Sequence, residues 1–379
     1  MRHLGALLAS VLVGGCAIAA DGPPPSGPAP PALPAVVVVT SPEAGSPGGA
    51  APDTTGAPDP PPSVETTSAT TTTATTEPRT PVRGRLVIHA VGDVGFSLDQ
   101  NRVFAHEGFG IAWIGLRGIF QRDHLTIINL ECAPSDRGEP LEKEWVLRCP
   151  LAALAPMRQA GVDVAGLANN HAGDMGWAAL IEARAALAAA GIHPVGAGRD
   201  LDEANLPVVV EIEGWRVAVV ALSRISGGAG WFAGRAHPGV APANLGNIEA
   251  AVSGAAAVAD LVIVSVHWGE EGSPAPSYDQ RALARAMIDA GADAIVGHHP
   301  HRLQGFEVID RVPVFWSLGN FVWPDLGPVH STTAVAEIVV ECDGSVTGRM
   351  IPAYIVSHGH PELRGSPDPS LLAERTGAG

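Results

Sequence analysis

The sequence predicts an α/β fold in which two mixed sheets pack face to face with helices outside, and three observations carry that expectation. Five short aliphatic runs each end in a polar cluster, helical segments with start and stop signals lie between them, and hairpin-like pairs interrupt the alternation. Residues 86–91 run into Gly92-Asp93, residues 125–128 into Asn129-Leu130-Glu131, and residues 162–167 into Asn169-Asn170-His171. Residues 261–266 run into His267, and residues 294–296 into Gly297-His298-His299-Pro300-His301. Continuous apolar runs of this kind suit strands buried on both faces. In open α/β sheets ligands bind beyond the carboxyl ends of the strands, so the five polar clusters should converge.

The helices follow from local signals. Residues 151–160 are entered through Pro150 and stopped by Gly161, and residues 175–190 are rich in alanine and leucine. Asp174 is placed to cap the latter, and Gly191 stands where a left-handed terminating residue belongs. Residues 247–259 and 278–290, the second stopped by Gly291, complete the set. Residues 208–212 and 216–222 read as a hairpin across Glu213-Gly214-Trp215, and residues 306–309 and 312–318 as another across Asp310-Arg311. Residues 332–341 and 346–356 make a further pair.

Before residue 83 the composition changes. Met1-Arg2, an apolar stretch over 4–13 and Val13-Gly14-Gly15-Cys16 read as a secretory signal, too short for a stable transmembrane span. The last four residues resemble a bacterial lipobox, which implies lipidation of Cys16; an ordinary signal peptide with an incidental cysteine is the alternative. Residues 21–81 are rich in Pro, Gly, Ala, Ser and Thr and, apart from 36–39, offer nothing to bury, as expected of a disordered tether. The expected organisation is a signal peptide over 1–15, a lipidated N-terminus and tether over 16–82, a folded domain over 83–360 and a flexible tail over 361–379. Export and a lipid anchor on the outer face of the cell membrane follow from the same reading.

The chain of 379 residues carries a formal charge of -16, with lysine only at Lys143. An acidic balance without a basic stripe argues against nucleic acid as a partner. Cys132 and Cys149 lie close enough in sequence to pair, or to be two buried free thiols, and Cys342 is left over.

Asp93, Glu131, Asn170, His171, His267, His298, His299 and His301 form an oxygen and nitrogen set suited to one or two divalent ions, Zn, Mn or Fe. A divalent ion so held activates water for hydrolysis at neutral pH. The series Val91-Gly92-Asp93-Val94, Asn129-Leu130-Glu131, Asn169 to Gly176, Val266-His267-Trp268-Gly269-Glu270-Glu271, Gly297 to Gln304 and Ser317-Leu318-Gly319-Asn320-Phe321 resembles, in order, the motifs of the CapA family of poly-gamma-glutamate capsule synthesis proteins.

That family is similar to the calcineurin-like metallophosphoesterases, and the resemblance implies a four-layer α/β/β/α sandwich. It implies Asp93, Asn170, His267, His299 and His301 as metal ligands, with His298 an alternative to His299, and Glu131 in the place of a bridging aspartate. His171 resembles the histidine that protonates the leaving group. Glu271, a second carboxylate beside His267, is placed to hold water or orient the imidazole. The implied partners are an envelope polymer or its synthase complex. Two departures stand out: the Asp-x-His opening is replaced by Asp93-Val94-Gly95, and Gly272 follows Glu271 where the family has an aromatic residue.

Simpler roles are expected elsewhere. His89 should face a sheet surface, Asn169 turn the chain, Ser317 and Asn320 satisfy strand-end groups with Asn320 also able to line the site, and Trp268, Trp316 and Trp323 form core or pocket wall. His106, His124, His193, His237 and His330 are isolated and read as surface or satisfied core residues, and His358 and His360 have the alternate spacing of a strand or turn and are not expected to ligate. Two functions fit: an exported metal-dependent hydrolase or transferase, or a non-enzymatic accessory subunit of an envelope polymer system. Without a P-loop pattern, ATP-driven ligation would come from a partner.

Overall fold

Both faces of the central strands are buried, and the residues alternate between them. In Trp215–Ser223 and Leu261–His267, residues Val217, Val219, Ala221, Leu261 and Ile263 enter the core shared with the other sheet, while Ala218, Val220, Leu222, Val262, Val264 and Val266 enter a second core. That second core is closed by Ile248 and Val252 of the helix Leu245–Ala256 and by Leu283 and Met287 of the helix Tyr278–Asp289. The period of two along a continuous apolar run is why these segments lie between two layers.

The computed structural model describes residues 37–40, 83–96 and 98–365. One sheet has the order Val37–Thr40, Val208–Ile212, Trp215–Ser223, Leu261–His267, Ala294–His298, Val312–Leu318, Leu303–Ile309. The other runs His360–Leu363, Val346–Ser357, Thr332–Val340, Leu86–Val94, Leu125–Leu130, Val164–Gly166, His193–Val195, with Asn320–Val322 also pairing with Leu86–Val94. Both are mixed, and the helix Trp177–Ala189 lies against the second sheet, so the layers are α/β/β/α. The fold agrees with the expectation from sequence.

The hairpins form where their turns demand it. Glu213 and Gly214 have φ of 48° and 77°, and Asp310 and Arg311 of 49° and 72°, the paired positive values of the tight turn that matches strand twist. Trp215 consequently belongs to its strand and not to the turn.

Helix limits differ in instructive ways. Residues 151–160 divide into a 3-10 turn, Leu151–Ala153, and the helix Leu154–Gln159. The alanine-rich helix starts at Trp177 after Gly176, so Asp174 is not its cap. Gly191 does adopt the left-handed conformation, at φ 77°. Tyr278–Asp289 carries a capping box, with Ser277 and Gln280 satisfying each other's backbone groups. The helix Leu98–Glu107 has no counterpart in the sequence reading.

Two observations bear on the ends of the folded region. Val37–Thr40 joins the first sheet as a parallel edge strand in register with Val208–Glu211. At the other end His360–Leu363 pairs with Val346–Ser357, so the sheet extends past residue 360. The signal segment, Cys16 and the remainder of the tether lie outside the described residues. Among the described residues no helix is long and apolar enough to cross a membrane.

Candidate metal centre

The carboxyl ends of five parallel strands from the two sheets meet at one place. His267 and His298 are partners in register on adjacent strands, and each follows a residue whose side faces the outer helices. Both imidazoles therefore turn inward, toward Asp93 on the facing sheet. Asp93 is seated by a close backbone approach: its N–H donates to Gly319 O at 2.9 Å, and a Cβ on Gly92 would lie 1.9 Å from that same oxygen. The loop after His298 is strained, with φ of 92° at His299 and 51° at His301. Backbone in this region is held only where its surroundings over-determine it, and such residues cluster at functional sites.

Glu131 stands at the centre. Its Oε1 lies 3.6 Å from His267 Nε2, 3.7 Å from His301 Nε2 and 4.0 Å from His171 Nε2. Among the described residues both of its carboxylate oxygens are buried without a hydrogen bond, as are both ring nitrogens of His298 and Nδ1 of His299. Ligand atoms of Glu131, His267 and His299 lie within 4.8 Å of one another, as do those of Asp93, Glu131 and His301, and those of Glu271, His299 and His301. Buried polar atoms with no partner are rare, and here they converge from a donor set of carboxylate and imidazole that suits a divalent cation. The residues fit the group.

Asn170 Oδ1 accepts from His267 Nε2 at 2.7 Å, so it joins the Glu131, His267, His299 group. His298 sits 3.6 Å from Asp93 Oδ1 through Nδ1 but belongs to none of the three groups, which favours His299 over His298 as a ligand. Glu271 is exposed at the rim beside His299 and His301.

A second layer holds the first. Asn129 Nδ2 donates to Asp93 Oδ1 at 2.8 Å and lies 3.3 Å from His267 Nδ1. Asn169, expected only to turn the chain, is fully buried; its amide donates to Asn129 Oδ1 and Leu130 O, and its Oδ1 accepts the N–H of His171. Asp174 is likewise buried, and its Oδ2 takes His171 Nδ1 at 2.6 Å and Leu147 N at 2.8 Å. Lys143 reaches the same turn, donating to Asp174 Oδ1 at 2.7 Å and Asn170 O at 2.9 Å. Asn320 Oδ1 pairs with His301 Nδ1 at 2.8 Å, and Trp323 stacks on the His301 ring at 4.8 Å. Trp268 and Trp316 are core residues stacked on each other.

The altered opening motif has a structural counterpart. A Cβ at Gly95 would lie 2.3 Å from the Trp323 ring, so the position where an Asp-x-His motif carries its histidine has no room for a side chain. His89 points away from the centre into a separate buried network, with Nδ1 2.8 Å from Asp123 Oδ2 and Nε2 3.3 Å from Glu337 Oε2.

Electrostatics separates the imidazoles. Burial lowers His298 and His299 to about 4. Burial and the surrounding rings push His267 well below its ordinary value. His301 behaves oppositely: burial works against its charge, yet Glu131 and Asp93 push it up to about 10. Burial raises Glu131 well above the usual carboxylate range, whereas Asp93, despite burial, is held below it by His301. At least one proton thus rests on the Glu131–His301 pair at neutral pH. Burial also lowers His171, with Asp174 opposing. His171 Nε2 faces the centre, 4.0 Å from Glu131 Oε1, while Nδ1 is fixed by Asp174.

Sequence reasoning missed Asn129, Asp174 and Lys143 as parts of the site. Asn129 and Asp174 sit inside recognised motifs, so position was a signal for them; Lys143 carried none.

Comparison with known proteins identifies the family. The chain is 36% identical over 221 residues to the capsule biosynthesis protein CapA of Bacillus anthracis, covering 57% of this chain and 52% of that protein. It is 38% identical over 236 residues to the PGA biosynthesis protein CapA of Bacillus subtilis, covering 62% of each. The chain thus spans between half and two thirds of these relatives' length. Among solved structures, the Haemophilus influenzae NAD nucleotidase superposes with a TM-score of 0.43 at 11% identity over 77% of this chain and 55% of that one, a likeness that carries no functional weight. The sequence profile described as bacterial capsule synthesis protein PGA_cap matches residues 87–325, well over half of the chain and all of the residues gathered at the centre, and the chain belongs to that family.

Proposed function

We propose that this protein acts in the synthesis or processing of a capsule or other envelope polymer of the poly-gamma-glutamate type, through hydrolytic or transfer chemistry at a divalent-metal centre. The observation that carries the reading is the convergence on Glu131: among the described residues its two buried carboxylate oxygens have no hydrogen-bond partner, nor does Nδ1 of the neighbouring His299, and Nε2 of His267 and of His301 stand 3.6 and 3.7 Å from its Oε1. Asp93, Glu131 and His301 would hold one ion, and Glu131, Asn170, His267 and His299 a second. Zn, Mn or Fe bound there supplies a Lewis acid that makes water a nucleophile at neutral pH. The chain's own part is to position the reacting bond and to pass a proton from His171 Nε2 to the leaving group. Glu271, at the rim, is placed to orient water or substrate.

Export through the N-terminal signal and a lipid on Cys16 would place this centre on the outer face of the membrane, beside the polymer or its synthase complex. The relatives' names attach capsule and PGA biosynthesis to those proteins, and the acidic balance of this chain keeps nucleic acid outside the proposal.

A second reading, an accessory subunit that retains the centre without turnover, is favoured by one observation. Trp323 fills the space at Gly95, which leaves the Asp93 position one imidazole short of an Asp-x-His centre.

Elemental analysis of the full chain, purified without chelator, tests the first reading beside Asp93→Ala and His267→Ala. About one or two ions per chain, reduced in both folded variants, is the expected result. A protein that stays metal-free after reconstitution leaves the accessory reading. With metal bound, His171→Ala should lower phosphoester hydrolysis by about 10²–10⁴-fold at unchanged metal content.

A further inference from the structure

We propose that His89 is a doubly protonated imidazolium that latches the Asp93-bearing strand into the second sheet and releases it under alkaline conditions, when the ring loses its proton. The latch is one polar rung across four strands. Thr126 on Leu125–Leu130, His89 on Leu86–Val94, Glu337 on Thr332–Val340 and Arg349 on Val346–Ser357 are successive partners in register, so their side chains share one face of the sheet. Asp123, just before Leu125–Leu130, closes the row, and His89, Asp123 and Glu337 are each only 1% exposed.

Ring Nδ1 lies 2.8 Å from Asp123 Oδ2, and Nε2 lies 3.3 Å from Glu337 Oε2. An ionised carboxylate only accepts, so a carboxylate at each ring nitrogen calls for two N–H donors, which only the imidazolium has. The other bonds assign the charges. Thr126 Oγ1 donates to Asp123 Oδ2, the same oxygen that faces the ring, and Arg349 Nε donates to Glu337 Oε1 at 2.6 Å. Asp123 Oδ1 is buried with no partner among the described residues, so a proton placed there would find no acceptor. With Arg349 supplying one positive charge to the row, the two carboxylates are balanced when the ring supplies the other.

The charged and titratable groups nearby are engaged elsewhere. Asp163 accepts Thr126 N at 2.9 Å and pairs with Arg158, His124 Nδ1 accepts Val87 N, and Arg85 pairs with Glu341 farther along the same two strands. Phe120 packs against the ring, with centroids 6.0 Å apart. Burial works against the charge on His89, but the bonds and charges of Asp123 and Glu337 outweigh it and raise the ring above its ordinary value. Burial raises Asp123 as well, with His89 opposing. The proton the two share rests on the ring, where both of its neighbours accept. A raised folded value means that the latch is fully engaged below about pH 6.5, the unfolded value, and is lost as pH rises through the folded one. A neutral ring then leaves a buried carboxylate without a donor, which favours opening of the strand pair to water. The latch involves no residue assigned to the metal centre, so the inference is independent of metal binding and hydrolysis.

The test uses the full chain, at one metal content throughout, with isotope-labelled histidine. Nuclear magnetic resonance should show both His89 ring nitrogens with the shifts of N–H groups at about pH 7 and well above it. These signals are identified by their loss in His89→Gln or, where that variant does not fold, by their displacement in Asp123→Asn. Chemical denaturation is followed over the same range. Above about pH 6.5, and until the ring titrates, the unfolding equilibrium constant of the wild type should rise about tenfold more per pH unit than that of His89→Gln, or measurably more steeply than that of Asp123→Asn. His301, also held protonated, titrates in every variant and cancels in the comparison. A His89 ring with one bare nitrogen at about pH 7, or one that titrates near its ordinary value of about 6.5, would overturn the proposal, and so would parallel denaturation profiles for wild type and variant.

Discussion

Asp174 organises more of the site than its sequence neighbourhood announces. Lying before a helix it has the look of a cap, but its two oxygens are shared among His171, Leu147 and Lys143 inside the protein. Asp174→Ala would leave the Leu147 N–H without its acceptor and the Lys143 ammonium with Asn170 O but no carboxylate, and hydrogen bonds to charged groups contribute about 1.5–3 kcal/mol each, so a loss of roughly 2–3 kcal/mol in chemical denaturation is expected. Metal content should stay that of the wild type, because no ligand is removed. A change below about 0.5 kcal/mol would mean that solvent replaces these bonds freely. The sequence hid this role because Lys143 lies 31 residues away and nothing local marks the pair. Histidines were easier to sort: His89 and His298 are both buried, yet only the rings at strand ends face the centre, and the period-two alternation of the strand decides which those are.

The elements present their ligands through tight backbone contacts. Asn320–Val322 lies alongside Leu86–Val94, and the contact works only because residue 92 has no side chain. Gly92→Ala places a carbon where Gly319 O stands, and overpacking of this kind costs about 1–3 kcal/mol. The same variant should lower metal affinity, since Asp93 must move with its strand; unchanged stability and unchanged metal binding together would show that the strand relaxes without displacing the carboxylate. Gly92-Asp93 was legible as a strand end, and so were the hairpins, whose turn residues carry their own positive φ. The capping box at Ser277 and Gln280 was equally local and was passed over. Trp323, by contrast, meets Gly95 only through tertiary packing.

At the scale of the whole molecule, metal binding at the proposed centre would be coupled to protons. Ligation requires an ionised Glu131 and a neutral His301, whereas burial raises the carboxyl and the two carboxylates push the imidazole up to about 10. Both shifts favour the protonated forms at neutral pH, so the ion must displace at least one proton, and affinity should climb about tenfold per pH unit between pH 6 and 8. His299, lowered to about 4, and His267, lowered well below its ordinary value, are already neutral there and add nothing to the slope. Chelator competition at pH 6, 7 and 8 measures this, and a flat profile would show that the pair holds no proton for the metal to displace.

By itself the sequence determined the five central strands, the two-sheet architecture, the family and the polar clusters at the strand ends, because burial on two faces writes a continuous apolar run and each motif occupies neighbouring residues. Only the tertiary structure decided how the clusters divide the work. Asp93 and His301 meet from different sheets, Glu131 becomes the centre because three imidazoles close around it, and Trp323 rather than a histidine stands beside Gly95. These outcomes depend on distances between chain segments far apart in sequence, which composition and periodicity do not encode.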